Sequence, residues 1–138
     1  MLSFQTPPGK DKEEDVQEVI RSLAEKGFQG TCLSSNEMAK VHARHLAGGR
    51  APEVTNERLI SFTFPEQPGA LKRFLDELSG KFNVSLFHYR NHGDDLGRVL
   101  VGLQVEPEQS EALQLFVDEL GYDYIFEDDN PVYHQFLL

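Results

Sequence analysis

The feature that most constrains this chain is the stretch at residues 58–98, RLISFTFPEQPGALKRFLDELSGKFNVSLFHYRNHGDDLGR. It reads as strand, Pro-Gly turn, helix, strand and tight Gly turn. Leu59 to Phe64 alternates, with Ile60, Phe62 and Phe64 on one face. Pro68 suits a first helical turn, and Leu71, Phe74, Leu75 and Leu78 stripe a helix over 68–79 that Gly80 closes. Val84 to Arg90 is a second strand, and Asn91 to Gly97 is a turn rich in Gly and Asp. The helix opens with backbone N–H groups of Gly69, Ala70 and Leu71 that lack intrahelical acceptors. Such groups can hold a small anion, an amino-acid carboxylate included.

The remainder continues the same grammar. Val99, Val101, Leu103 and Val105 alternate as a strand, Ala112, Leu115, Phe116 and Leu120 stripe a helix near 108–120, and Tyr122 to Phe126 is a last paired strand. Val132 to Leu137 is an apolar tail that can add one more strand. The order β-α-β-β-α-β predicts an α+β, ferredoxin-like module, an antiparallel four-stranded sheet with two helices on one face. Such a sheet leaves its other face and its edges bare, so tandem or dimeric association is expected.

Residues 2–37 repeat the trailing half of that module. Each copy has a short apolar strand, a Pro-containing turn, an acid-started helix, a Gly-aromatic pair (Gly27-Phe28 and Gly121-Tyr122), a strand and an Asx/Ser exit. Val16, Val19, Ile20 and Leu23 stripe the first helix, over 12–26. Gln29 to Leu33 reads as its strand. A second helix is expected over 36–46, capped by Ser34-Ser35-Asn36 and ended by Gly48-Gly49. Residues 1–50 are thus a partial, trailing module plus a connecting helix, 51–56 (APEVTN) a linker, and 57–138 a complete module. A chain that starts partway through a tandem pair is the simplest reading.

Composition excludes several functions. The net charge of −10 disfavours nucleic-acid binding, which needs clustered Lys and Arg. No run approaches 18 apolar residues, so no membrane helix is expected, and the first residues do not resemble a signal peptide. A cytoplasmic or organelle-matrix setting follows as the expectation. The acidic clusters Asp11–Asp15, Glu106–Glu111 and Glu127–Asp129 read as solvated or dipole-matched faces rather than a metal site. The lone cysteine, Cys32, forms no intrachain disulfide and is expected as a small buried hydrophobe.

No nucleophile elbow, phosphate loop, CxxC pair or Schiff-base lysine pattern is present, so no residue is a catalytic candidate. His42 and His45 share a helix face and read as partly buried packing, while His88 and His92 lie on a strand and its turn and need not meet one ligand. Alternation puts Ser85, Phe87 and Tyr89 on one face of their strand and Leu86, His88 and Arg90 on the other. Gly69, with no Cβ, allows a ligand close to the helix start. An amino acid there would also need an acceptor for its ammonium, for which Glu66 is the chemical candidate.

Three segments together, ERLISFTFPEQPGALKRFLDEL, NVSLFHYRNHGDDLGRVLVGLQV and ELGYDYIFEDDNPVYHQFL, resemble the C-terminal regulatory region of biosynthetic threonine dehydratase (threonine ammonia-lyase). SSNEMAKVHARHLAGGR resembles the segment joining that region's two ACT-like modules. The resemblance implies an allosteric module that binds isoleucine, an inhibitor, and valine, which relieves inhibition. It also implies a separate pyridoxal-phosphate domain that deaminates threonine to 2-oxobutanoate, with no cofactor held in this chain, and a homo-oligomeric assembly. The cytoplasm, or the plastid or mitochondrial matrix, is the setting it implies. By matching position, its effector candidates are Gly69, Ala70, Phe87, Tyr89 and Arg90. A structural oligomerisation module without a competent effector site is the alternative.

Overall fold

The computed structural model describes residues 12–43, 51–91, 93 and 95–137. Four strands, β1 (Glu57–Pro65), β2 (Asn83–Asn91), β3 (Leu96–Gln104) and β4 (Asp123–Phe126), form one sheet in the order β2-β3-β1-β4. All three pairings are antiparallel. Two crossover helices, α3 (Ala70–Leu78) and α4 (Ser110–Leu120), connect β1 to β2 and β3 to β4. This is the α+β, ferredoxin-like arrangement that the strand and helix order predicted.

Alternation explains the core. Ile60, Phe62 and Phe64 of β1 and Val99, Val101 and Leu103 of β3 point at the helices, where Phe74 and Leu78 of α3 and Leu113, Phe116, Val117 and Leu120 of α4 meet them. Phe74 lies edge-on to Phe62, with centroids 5.1 Å apart, and stacks near Phe64 at 6.2 Å. Two expected stripes need correction. Leu115 and Ala112 are exposed, because the i, i+3, i+4, i+7 set of α4 is Leu113, Phe116, Val117 and Leu120. Leu75 of α3 is likewise on the solvent side.

The other sheet face is not bare. Two short helices, α2 (Glu37–Val41) and α5 (Pro131–Phe136), lie over it, and Met38, Ala39, Val132 and Tyr133 bury Leu59 and Leu100. The expected strand at 132–137 is therefore a helix. Pro131 occupies its first turn and Asn130 caps it by accepting from the Val132 amide at 3.0 Å. Asn36 caps α2 in the same way, through the Ala39 amide at 2.9 Å, and its own amide donates to Asn130 Oδ1 at 2.9 Å. The two caps thus join the two helix starts.

Helix α1 (Lys12–Glu25) forms where its stripe predicted it. The expected strand at 29–33 does not form. That segment has no strand partner, and Cys32 is exposed with its thiol 3.3 Å from Ser34 Oγ, which lowers the thiol pKa, rather than buried. The first apolar strand of the repeat and its turn, together with Arg44, His45, Gly48-Gly49 and Arg50, lie outside the described residues, as does His92. The sheet also carries one irregularity. Val84 pairs with Leu103 and Leu86 with Gly102, so Ser85 is an extra residue in a β-bulge.

The bulge corrects one facing. Ser85 turns to the α2–α5 side with Leu86, not to the helix side with Phe87 and Tyr89. There its hydroxyl meets the Glu57 carboxylate over Gly102, whose missing Cβ leaves the space. Glu57 also accepts from Tyr133 Oη at 2.8 Å. Burial first, then this carboxylate, raises the Tyr133 pKa well above the ordinary phenol value. A raised folded-state value means that the contribution is fully present below about pH 10 and is lost as pH rises through the higher folded value. Urea unfolding from pH 8 to 11 should register that loss in the wild-type protein. Tyr133→Phe, having no phenol to ionise at this position, should lessen it.

Candidate functional site

The site candidates gather where β1 ends and α3 begins. Phe64 buries its ring, Pro65 ends the strand, and the chain turns through Glu66 and Gln67 before Gly69 adopts φ 90° at the helix N-cap. That left-handed conformation is the reason glycine stands there. No side chain caps this start. The Ala70 amide is not orphaned as expected, because it donates to Gln67 O at 3.0 Å within the turn. The Gly69 carbonyl accepts from the Arg73 amide at 2.8 Å, fixing the first helical turn.

Glu66 is held from two sides. Its amide donates to Asp95 O at 2.8 Å, tying the turn to the start of β3, and its carboxylate accepts from Tyr89 Oη at 2.5 Å. Gly97 lies beneath this contact. A Cβ there would sit 2.7 Å from Glu66 Oε2, 3.1 Å from Phe64 Cε2 and 3.2 Å from Tyr89 Cε2. The bond to Glu66 favours the neutral phenol and raises the Tyr89 pKa.

Phe87, two residues earlier on the same face of β2, is partly exposed and packs against Phe74 of α3 at 6.3 Å. Glu66, Gly69, Ala70 and Tyr89 thus gather at one end of the sheet, while Phe87 stands on the same face further along β2, opposite Val101 and against Phe74. Arg90 departs from this set. It pairs with Arg98 and follows His88 onto the α2–α5 face. Pattern reading did not single out Gly97, though its place at the end of the Gly/Asp turn was the available signal; the structure sets it opposite Phe64.

Gly97→Ala tests the geometry of this corner. The backbone of Gly97 is outside the left-handed region, so alanine is conformationally permitted and the effect is steric. The added methyl should displace the Glu66 carboxylate, and the Tyr89 phenol should titrate closer to its ordinary value. Ultraviolet titration of the tyrosines reads this, and an unchanged profile would contradict the contact.

Other polar groups are structural. Glu127, buried, accepts from Ser61 Oγ at 2.8 Å and Asn130 Nδ2 at 2.6 Å. Asp128 accepts from the Leu59 amide at 3.1 Å and from Arg58 Nε at 3.0 Å. The third acidic cluster is therefore a pin between β1 and the chain after β4, not a solvated face. Among the described residues no group of three or more His, Cys, Asp or Glu side chains is arranged to hold a metal ion. His42 is buried, as its packing role required, but it also reaches His88.

A four-stranded antiparallel sheet backed by α3 and α4 is the fold of an ACT-like module. Residues 48–137 match the family model described as the C-terminal regulatory domain of threonine dehydratase. The chain belongs to that family. It is 51% identical over 127 residues to the mitochondrial threonine dehydratase of Saccharomyces cerevisiae, covering 92% of this chain and 22% of that protein. It is 44% identical over 124 residues to the biosynthetic L-threonine dehydratase IlvA of Escherichia coli, covering 90% and 24%. The chloroplastic threonine dehydratase 1 of Solanum lycopersicum is 44% identical over 119 residues, covering 86% and 20%. The chain thus spans about a fifth to a quarter of the length of these relatives.

Proposed function

We propose that this regulatory module binds a branched-chain amino acid at the β1–α3 corner, isoleucine as inhibitor and valine as its antagonist, and so controls threonine deamination to 2-oxobutanoate by a linked catalytic domain. The meeting of Glu66 and Tyr89 over Gly97, beside the start of α3, carries the reading. A zwitterion needs an acid for its ammonium and amide donors for its carboxylate, and the positive end of a helix dipole favours the latter. Phe87 supplies an apolar wall for a branched side chain. Arg90, on the opposite face, acts on this site only through β2.

The same proposal includes the division of the chain. Residues 1–50 would be a trailing module with its connecting helix, 51–56 a linker and 57–138 the complete module. The stripe of α1, Val16, Val19, Ile20 and Leu23, contains no buried residue, whereas the corresponding stripe of α4 is buried on the sheet. An apolar face of this kind is suited to a sheet contributed by further chain or by another copy. Assembly into homo-oligomers would cover it, and would leave the chain a structural module if no effector bound.

Pyridoxal phosphate would belong to the separate catalytic domain. Lys40, Lys72 and Lys81 are exposed and ion-paired with Glu37, Asp76 and Glu77, which does not fit a lysine held for a Schiff base. Among the described residues no helix is long and apolar enough to cross a membrane. The cytoplasm, or the plastid or mitochondrial matrix, is the compartment proposed.

Isothermal titration with isoleucine, valine and threonine tests the reading. Saturable heat with a branched-chain amino acid is expected. Millimolar ligand giving no heat with any of the three, together with concentration-dependent sedimentation that no ligand alters, would establish the oligomerisation reading instead.

A further inference from the structure

We propose that His42 and His88 form a one-proton clasp that docks α2 on β2 and opens when the pair takes up a second proton. The two Nδ1 atoms are 2.9 Å apart, and the rings meet edge to face with centroids 5.2 Å apart and planes at 81°. His42 ends α2 as its C-cap and is 3% exposed, while His88 lies in the middle of β2 opposite Leu100.

A bond between two ring nitrogens needs one N–H and one lone pair. A neutral pair satisfies this with one ring in the Nδ1–H tautomer. A pair carrying one added proton satisfies it as well, because the imidazolium donates to its neutral neighbour. With two added protons each Nδ1 carries a hydrogen, no lone pair remains between the rings, and two like charges face each other. The contact then breaks.

The surroundings set the sign. On the same sheet face lie the cations Arg90 of β2 and Arg98 of β3 and the anion Glu57 of β1. From α2 come Lys40 and Glu37, paired with each other, and from α5 come Tyr133, bonded to Glu57, and His134. Repulsion between the two charged rings, and the burial of His42, oppose the second proton. The clasp is therefore closed at neutral and alkaline pH and is lost as pH falls below the ordinary imidazole range of about 6.5.

Helix α2 depends on such help. Five residues cannot sustain a helix alone. Its other anchors include Met38 and Ala39 in the cluster with Leu59 and Leu100, and the Asn36–Asn130 bond. In β2, Phe87 and Tyr89 flank His88 and face the opposite side. The clasp thus ties α2 to the strand segment that presents the proposed effector corner. Weaker isoleucine binding at pH 5.5 is a second consequence, which rests on the effector reading above.

Amide exchange of residues 38–42 in the full chain, corrected for the intrinsic pH dependence of exchange, tests the clasp directly. Between pH 7.5 and 5.5 protection of α2 should fall by roughly 3- to 10-fold, the worth of one net hydrogen bond, while β1 and β3 keep theirs. His88→Phe, which keeps an aromatic edge but no proton, should remove the pH dependence. Should that variant not fold, proton NMR titration of the wild-type imidazoles decides, because a shared site gives two separated steps. Protection retained at pH 5.5, an equal loss in His88→Phe, or two independent single-step titrations would overturn the proposal. Isoleucine titration at pH 7.5 judges the effector site separately.

Discussion

Truncating Phe74 to alanine should cost about 3–5 kcal/mol, the range for removing a buried aromatic ring. Phe74 is 0% exposed, and its ring packs against those of Phe62, Phe64 and Phe87. The first two rings belong to the central strand and the third to the edge strand. A void there cannot collapse easily, because β1 is held on both sides by β3 and β4. Thermal unfolding should show a melting temperature lower by on the order of 10 °C or more. A loss under about 1 kcal/mol would mean that the helix layer does not pack as described. Phe87, half released, should also become more solvent-accessible, so the variant links core packing to the proposed ligand wall.

Glu66→Gln should reduce affinity for isoleucine by roughly 10- to 100-fold, the worth of a hydrogen bond to a charged group. The substitution preserves shape and leaves an acceptor for Tyr89, so the fold should be unaffected. What it removes is the negative charge proposed to face the ammonium of a bound amino acid. Calorimetric titration of the variant beside the wild type reads the change. Equal affinity would remove Glu66 from the site and shift the ammonium to backbone carbonyls. Because the Tyr89 hydroxyl already occupies this carboxylate, binding must share or displace that bond. Tyr89→Phe, measured in the same way, distinguishes the two, since displacement predicts tighter binding when the competitor is removed.

The sheet and its helix layer were legible because local patterns and packing agreed. Ile60, Phe62 and Phe64 alternate and are all buried, and Val99, Val101, Leu103 and Val105 behave likewise. In the stripe of α4, Phe116 and Leu120 are buried as expected, but Leu113 and Val117 complete the buried face in place of Ala112 and Leu115, because Leu115 is apolar yet faces solvent and hydrophobicity alone does not separate it from Leu113. The tail after Asn130 is too short for periodicity to distinguish helix from strand. The Asn-Pro pair at 130–131, a cap followed by a first-turn proline, was the signal that decided the outcome. The strand expected at 29–33 lacked a partner among the described residues, and pairing is a tertiary property that no window of sequence reports.

At the corner, the residues were legible but their relations were not. Alternation correctly separated Phe87 and Tyr89 from His88 and Arg90. It could not reveal that Glu66 is bonded to Tyr89, because the two are brought together by a turn and a crossover rather than by spacing. Nor did it show that His42 meets His88, since that contact depends on α2 folding back over the sheet. Contacts between distant segments lie beyond what periodicity encodes.

The extra residue at Ser85 has a consequence for the outer margin of the sheet. β2 is the outermost strand on its side of the sheet, and an unbroken outermost strand invites a neighbouring chain to continue the ladder. Here the run of outward-facing amides and carbonyls is interrupted partway along and the strand is bent there. A further strand added edge-on would find its hydrogen bonds out of step on the two sides of Ser85, so this margin resists open-ended extension of the ladder.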